Sequence, residues 1–186
     1  MFKKKIKKII GEENIKKMRA YKNYLVSLCV CKKKYEILSN NVKEYSIIQN
    51  PKGHIFCGYF DINPDNPYCK DEILANMLKK NAKYGKDYME IVKININTKK
   101  IEKLCRTKTW CWQMGCRSRW SIMKNVIIYN DYINEHYCSI FYDIEKRKIV
   151  KEIPYALYDI DKKEKFGLSI NFSRLQRLRP RLWLCK

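Results

Sequence analysis

The sequence predicts an all-β chain built from four-stranded antiparallel units, with a short helical segment at its N-terminus. After about residue 25, short β-branched and aromatic runs alternate with polar turns. A strand–turn–strand segment also repeats, because residues 94–103 (ININTKKIEK) are matched by residues 142–151 (YDIEKRKIVK), 48 positions later. In each copy, alternation directs one face inward and a Lys-containing stretch closes the turn, which indicates a β-hairpin.

The N-terminal elements come first in the chain. Residues 2–24 have apolar side chains at helical spacing with Lys between them, and they predict a helix that Gly11 interrupts. Residues 25–31 (LVSLCVC) predict a strand. Beyond this point the only stretch with a competing helical pattern is residues 71–82.

The repeated hairpin lies beside further strands. Four strands per unit, at a spacing of roughly 40–50 residues, is the pattern of a β-propeller blade. A generic antiparallel sandwich is the alternative, and the repeat favours an incomplete propeller of about two to three blades. The expected domains are a basic helical segment with its lead-in strand, residues 1–40, and a propeller fragment, residues 41–186. The further predicted strand pairs are residues 118–121 with 126–130, and residues 155–160 with 166–170.

Composition excludes several classes of protein. Apolar residues make up 46% of the 186 residues, which excludes a disordered chain. No apolar run is long enough to span a bilayer, so no transmembrane segment is predicted. The formal net charge is +21, but the Lys residues are scattered and accompany heavy use of Asn, Ile and Tyr, as the codons of an AT-rich genome would give. The charge therefore gives little support to nucleic acid as the partner.

The nine cysteines are odd in number, which favours free thiols and a cytoplasmic location over a disulfide framework. Cys29 with Cys31 and Cys111 with Cys116 lack the usual spacing of zinc ligands. The sequence therefore predicts neither a metal site nor a cofactor.

Three motifs resemble the signatures of a known family. FCGYFDINP at residues 56–64 resembles F-G-Y-Y-D-x-S-P, and WCWQMGCRSRW at residues 110–120 resembles W-x-W-Q-x-G-x-R-x-x-W, followed by YND at residues 129–131. LSINFSRLQRLRP at residues 168–180 resembles a stretch that normally continues into G-Y-G-Y. Together they resemble a poorly characterised bacterial β-propeller family, TolB-like or WD-repeat-like. Its members occur among surface-polysaccharide genes and are sometimes labelled glycosyltransferases.

The chain departs from the family pattern after Pro180, where it reads RLWLCK at residues 181–186. If Arg-Leu-Trp-Leu-Cys is written with the codons AGG TTA TGG TTA TGC, the same bases shifted by one position read Gly-Tyr-Gly-Tyr. We therefore expect the last six residues to be a frameshifted tail and the chain to be the N-terminal part of a longer propeller. A natural variant ending is the alternative, and the DNA after codon 180 distinguishes the two.

The resemblance implies a ligand site where inner strands and their loops meet a central channel. Aromatic rings stack on sugar faces and Arg pairs with carboxylate or phosphate, so the expected ligands are acidic glycans or nucleotide-sugars. The same residue types have alternative roles: Trp residues pack in cores, Asp residues cap turns, and Arg residues form solvated surfaces. The candidate ligand-binding residues are Tyr59, Asp61, Trp112, Gln113, Arg117, Trp120, Asn130, Asp131, Arg174 and Arg177.

Three functions are compatible with these features. The preferred one is a non-catalytic propeller module that binds a glycan, a protein partner or its missing C-terminal blades in surface-polysaccharide synthesis. The second is a fragment of a carbohydrate-active enzyme, a transferase or a lyase, for which only His54 and His136 are available as histidines. The third is a basic nucleic-acid-binding protein. No catalytic residue is predicted, because no nucleophile elbow, P-loop or zinc-protease motif occurs in the sequence.

Overall fold

The computed structural model divides the chain into two compact units, residues 1–45 and residues 46–186, and each is described by itself. The end of the predicted strand at residues 30–31 and the predicted frameshift after Pro180 lie outside the described residues. No helix within the described part has the length and apolar character needed to cross a membrane. The described residues are 12–29, 48, 50 and 53–178.

The first unit contains helix α1 (Glu12–Cys29). This confirms the predicted helix from residue 12 onward. The strand predicted for residues 25–31 is wrong as far as Cys29, because the helix continues through it. The sequence spacing explains the difference, since Ile15, Met18 and Leu25 keep the helical period that the strand assignment ignored.

The second unit consists mainly of antiparallel sheets, which confirms the all-β prediction. Its elements are β1 (Gly53–Phe56), β2 (Asp65–Asn66), β3 (Cys69–Lys79), β4 (Met89–Asn95), β5 (Ile101–Thr107), β6 (Arg119–Trp120), β7 (Val126–Ile133), β8 (His136–Asp143), β9 (Lys148–Ile153), β10 (Leu157–Ile160), β11 (Gly167–Ser169) and α2 (Phe172–Leu178). Sheet 1 has the order β1-β3-β4-β5, with β2 also paired to β3. Sheet 2 has the order β6-β7-β8-β9, and sheet 3 consists of β10 and β11. The two further strand pairs predicted from the sequence are therefore confirmed as β6 with β7 and β10 with β11.

Strand β3 replaces the helix that the sequence suggested at residues 71–82. It pairs with β1 on one side and β4 on the other. Its apolar side chains are buried on both faces, because Leu74 and Leu78 join one core cluster while Ala75 and Met77 join another. When a strand is covered on both faces, its sequence is a continuous run of apolar residues. Periodicity alone cannot distinguish such a run from the sequence of a buried helix.

The three sheets pack as successive layers in chain order. One face of sheet 1 contributes Leu74 to a cluster that includes Ile127 and Ile140 of sheet 2. The opposite face of sheet 2 contributes Phe141 to a cluster with Leu157 of sheet 3. The central strands β7 and β8 of sheet 2 therefore lie between the two neighbouring sheets, which accounts for their buried runs, whereas the edge strand β9 is mostly exposed.

The repeated hairpins form the third and fourth strands of their sheets, as β4–β5 and β8–β9. In the first turn, the Asn95 side-chain oxygen accepts the backbone N–H groups two and three residues later, at 3.1 and 2.8 Å. In the second turn, Asp143 accepts the corresponding N–H groups at 3.0 and 2.9 Å. Lys99 and Arg147 then have positive φ angles of 58° and 51°. Both pairs are 48 residues apart, so the sequence repeat is also a repeat of turn geometry.

The Asp143 turn should make stability depend on pH. The backbone N–H of Lys146 is the main cause that lowers the pKa of the Asp143 carboxyl. A lowered native pKa means that the ionised group stabilises the fold above its unfolded pKa of about 3.9 and loses this effect as pH falls through the native value. Asp143→Asn should remove this part of the acid sensitivity and keep the turn, because Asn95 fills the equivalent position.

Urea unfolding midpoints of the wild type and Asp143→Asn at pH 6 and pH 3 measure this effect. The wild type should lose more stability than the variant between the two values. Asp143→Ala is the control, since it removes the turn's acceptor at both pH values. Equal losses in wild type and Asp143→Asn would show that the carboxylate is not linked to folding.

All cysteines between residues 53 and 178 are free thiols, as the odd total predicted. They are Cys57, Cys69, Cys105, Cys111, Cys116 and Cys138.

Candidate ligand-binding site

Asp61 and Arg117 are 56 positions apart in the sequence and form an ion pair in the structure. Nη1 of Arg117 donates to both carboxylate oxygens of Asp61, at 3.0 and 2.9 Å. The Arg117 side chain is only 1% exposed, whereas that of Asp61 is 30% exposed. Cys111 and Gly115 exchange two backbone hydrogen bonds of 3.0 Å each, and this closed loop precedes Arg117 in the chain.

The rest of the Arg117 guanidinium is bound to the first strand of sheet 3. Its Nε donates to the carbonyl of Tyr158 at 2.8 Å, and its Nη2 donates to the same oxygen. The guanidinium also lies 4.2 Å from the centre of the Tyr158 ring. Arg119 adds a 3.0 Å bond to this carbonyl and a 2.5 Å ion pair with Asp159. Arg117 therefore connects the entry to sheet 2 with sheet 3, and its burial places it behind any surface that a ligand could touch.

Asn130 is a second buried connection between sheets 2 and 3, and it is 1% exposed. Its Nδ2 donates to the carbonyl of Leu157 at 2.8 Å, and its Oδ1 accepts the Leu157 N–H at 2.9 Å. The same oxygen accepts the hydroxyl of Ser139 at 2.6 Å. These bonds use both acceptor sites of Oδ1 and one of the two N–H donors of Nδ2 inside the protein.

Asp131, the neighbour of Asn130, connects sheet 1 with sheet 2. Its Oδ1 accepts the hydroxyl of Thr107 at 2.7 Å and the backbone N–H of Tyr132 at 2.9 Å. Burial raises the pKa of its carboxyl above the ordinary value. This carboxylate, like Asn130, has partners within the fold.

Trp112 is the exposed aromatic residue of the second motif. Its indole is 44% exposed, whereas Trp110 is fully buried. Three rings surround it, with centroid distances of 5.4 Å to Trp110, 5.5 Å to His54 and 6.2 Å to Phe56. The side chain of Gln113 is exposed beside it in the chain. We refer to Trp112, Gln113 and the ring of His54 as the Trp112 surface.

Helix α2 carries the two predicted arginines, Arg174 and Arg177, and both are exposed. The helix is attached to the aromatic cluster through Gln176, whose Oε1 accepts the hydroxyl of Tyr84 at 3.0 Å. Tyr84 in turn lies edge-to-face with Trp110 at 5.6 Å. The arginines are thus on an element that is bound to the rings behind Trp112.

The remaining two predicted residues have partners close to them. Tyr59 is half-buried, and its ring centre lies 4.4 Å from that of Phe60. Trp120 donates from its indole nitrogen to the carbonyl of Pro64 at 2.9 Å, which fixes the end of the first motif against the second. Five of the ten predicted residues are exposed, and the carboxylate of one of them, Asp61, is paired with Arg117. The other four are Trp112, Gln113, Arg174 and Arg177.

Asn76 is a buried polar residue that the sequence analysis missed. It is 0% exposed, and its Oδ1 accepts the hydroxyl of Ser118 at 3.1 Å. Within the described residues its Nδ2 has no hydrogen-bond partner. A Cβ added at Gly115, which has a φ of 60°, would lie 2.5 Å from this nitrogen, so the glycine leaves room for the amide. A single Asn inside the apolar run ILANML was the available signal.

Asn76 and Asn130 hold equivalent positions in their sheets. Asn76 on β3 is paired with Ile91 on β4, and Asn130 on β7 is paired with Ser139 on β8. Ile91 and Ser139 are separated by the same 48 residues as the hairpins. Each Asn also bonds to the segment that leads into the next sheet, at Ser118 for the first and at Leu157 for the second.

Two of the surface grooves in the described part of the chain are formed by residues other than the predicted ones. One of about 340 Å³ is lined by residues that include Tyr137, Tyr155 and Asn171. The other, of about 500 Å³, contains charged side chains that are paired with each other, among them Lys103 with Glu90 at 2.8 Å. None of the ten predicted residues lines either groove.

No family model, no curated protein and no solved structure matches this chain. The function proposed below therefore rests on the residues and contacts of the chain itself.

Proposed function

We propose that the chain is a non-catalytic β-propeller module that binds an acidic glycan through the Trp112 surface, with Arg174 and Arg177 as its cationic contacts. The observation that carries the proposal is the exposure of Trp112, whose indole is 44% accessible although rings surround it. The motifs that resemble the propeller family suggest surface-polysaccharide synthesis as the setting.

The propeller part of the proposal is supported by repetition between the sheets. Sheets 1 and 2 each have a path of four consecutive antiparallel neighbours, and sheet 3 begins a further unit. The hairpin turns and the buried Asn76 and Asn130 recur at the same positions of their sheets. Repeats that bury their faces against neighbours require such consistent connections from one unit to the next. The sandwich alternative does not require them.

The Trp112 surface is suited to sugar for two reasons. An exposed indole offers a flat apolar face with a polar edge, which is the shape that stacks on a sugar ring. Contacts with Trp110 and His54 limit the rotation of Trp112, so little side-chain entropy is lost when a ligand binds. Gln113 adds an exposed amide that can both donate to and accept from hydroxyl groups.

The preference for an acidic glycan follows from charge. The chain has a net charge of +21, and Arg174 and Arg177 are exposed on the helix that Gln176 attaches to the aromatic cluster. An Arg side chain binds a carboxylate through two parallel N–H bonds. A neutral glycan would use the indole but not these cations.

Binding of polygalacturonate, measured by calorimetry at low and physiological salt, tests the proposal. Trp112→Ala should weaken binding by roughly 30-fold, which corresponds to about 2 kcal/mol for an aromatic anchor. Gln113→Ala should weaken it less. Phe166→Ala is the matched control, since Phe166 is an exposed aromatic residue, at 76%, outside the Trp112 surface.

Two comparison ligands sharpen the test. Dextran, a neutral glycan, should bind more weakly than polygalacturonate. Single-stranded DNA should bind weakly and lose its affinity as salt rises. Tighter binding to DNA than to polygalacturonate, or an unchanged affinity in Trp112→Ala, would contradict the proposal. Turnover of the glycan would contradict its non-catalytic part.

A further inference from the structure

Three side chains of different chemistry meet on one face of sheet 2. His136 and Cys138 lie on β8, and Glu152 lies on β9. Their ligand atoms, an imidazole nitrogen, a thiol sulfur and a carboxylate oxygen, are all within 4.8 Å of one another. The His136 Nε2 is 3.5 Å from Oε1 of Glu152.

The strand geometry explains why these residues meet. Positions two apart on a strand share a face, so His136, Cys138 and Ile140 point to the same side of sheet 2. Glu152 is the register partner of Ile140 across β8 and β9 and therefore shares this side. Cys138 is fully buried, whereas the side chains of His136 and Glu152 are 42% and 41% exposed. The cluster thus extends from the core to the solvent.

The imidazole of His136 is already oriented. Its Nδ1 is 3.2 Å from the backbone carbonyl of Asn134, which can accept a hydrogen bond from this nitrogen. In the neutral tautomer that donates to this carbonyl, the lone pair is on Nε2, which is 3.5 Å from Oε1 of Glu152. Metal-binding histidines commonly have this arrangement, in which a backbone carbonyl holds one ring nitrogen and the other binds the ion.

We propose that His136, Cys138 and Glu152 bind a divalent transition-metal ion, with Zn²⁺ as the best fit. Zinc accepts nitrogen, sulfur and carboxylate ligands together, whereas Ca²⁺ and Mg²⁺ require sets of oxygen ligands. Tetrahedral zinc places its ligand atoms about 3.3–3.8 Å apart. The His136–Glu152 distance is already within this range, and the thiol needs a shift of about 1 Å to reach it.

The site would have three protein ligands and a fourth position open to water or a ligand. Within residues 12–29, 48, 50 and 53–178, no other group of three or more His, Cys, Asp or Glu has this spacing. No metal was predicted from the sequence, because the cysteine pairs lack the usual spacing of zinc ligands. The available signal was the His-x-Cys spacing of residues 136 and 138, which places both side chains on one face if the segment is a strand. This site is separate from the Trp112 surface, so failure of one proposal leaves the other intact.

Competition with a chromophoric chelator, in the presence of a reductant that does not bind metals, measures zinc affinity in the full chain. The wild type should bind Zn²⁺ at one equivalent, and His136→Ala should weaken the affinity by at least about 100-fold, because loss of a supporting partner alone costs 10–100-fold. His54→Ala is the matched control, since the chain has two histidines and His54 is outside the cluster. It should bind like the wild type.

Cobalt substitution provides a second readout. Co²⁺ bound to the wild type should give a thiolate charge-transfer band and visible bands typical of tetrahedral geometry. Cys138→Ser should abolish the charge-transfer band, while Cys57→Ser, at an exposed cysteine, should keep it. Glu152→Gln is a further variant on an exposed side chain, so its folding should be unaffected.

Three outcomes would overturn the inference. These are no binding of Zn²⁺ by the wild type, equal affinity in the wild type and His136→Ala, or a thiolate band that persists in Cys138→Ser. A loss of affinity in His136→Ala and Glu152→Gln with normal melting curves, but not in His54→Ala, would support it.

Discussion

Replacing Arg117 by alanine should lower the free energy of unfolding by about 3 kcal/mol. The substitution removes the ion pair with Asp61 and leaves the Tyr158 carbonyl without its Nε and Nη2 donors. Removal of one partner from a buried pair usually costs 3–5 kcal/mol. The lower end applies here because the Asp61 side chain is 30% exposed and can be solvated after the change.

Urea denaturation of Arg117→Ala, Asp61→Asn and the double variant measures how strongly the pair is coupled. Asp61→Asn leaves a fully buried cation without its counter-charge, so it should also destabilise the fold strongly. The double variant should lose less than the two single losses added together. Lys103→Ala breaks the exposed pair with Glu90 and should cost less than about 1 kcal/mol. If the Arg117 variant loses no more free energy of unfolding than this control, the buried ion pair does not stabilise the contact between the sheets.

Asn130→Ala should have the second-largest effect, a loss of about 2 kcal/mol. Its amide makes three hydrogen bonds inside the protein, two with the backbone of Leu157 and one with the hydroxyl of Ser139. Truncation leaves the buried carbonyl of Leu157 without this donor, and a buried group without a partner costs more than the bond itself was worth.

Asn130→Asp distinguishes the hydrogen bonds from simple filling of space. The size is unchanged, but an acceptor with a negative charge would face the carbonyl of Leu157 in place of a donor. This variant should be at least as unstable as Asn130→Ala at pH 7. Thermal melting of both, with Asn97→Ala at an exposed turn as the control, measures the difference. A melting temperature of Asn130→Asp close to that of the wild type would contradict the assigned bonds.

The sequence was sufficient to predict the strands whose pattern is local. The 48-residue repeat identified both hairpins, because alternation and turn residues are properties of neighbouring positions. It did not identify β3, since burial on both faces depends on layers formed by distant parts of the chain. The sequence also did not predict where α1 ends. Residues 25–31 have a high strand propensity that competes with their helical spacing, and the helix continues to Cys29.

The candidate residues were selected from the sequence by type, whereas their contacts depend on the fold. Asp61, Arg117 and Asn130 were selected as polar or charged residues suited to a ligand, and the structure shows each bonded within the protein. The exposure of Trp112 and the burial of Trp110 could not be separated from the sequence, because the two lie in the same loop region two residues apart. Which side of a folded chain faces solvent is decided by long-range packing.

The paired geometry of Asn95 with Asp143, and of Lys99 with Arg147, bears on the origin of the molecule. If one segment had been duplicated in tandem, each turn residue in the first copy would be separated from its counterpart in the second copy by the same number of residues. The two turns carry an amide in one copy and a carboxylate in the other, and a lysine in one and an arginine in the other, yet the main chain follows the same path in both. The same bend is therefore compatible with two different sets of side chains.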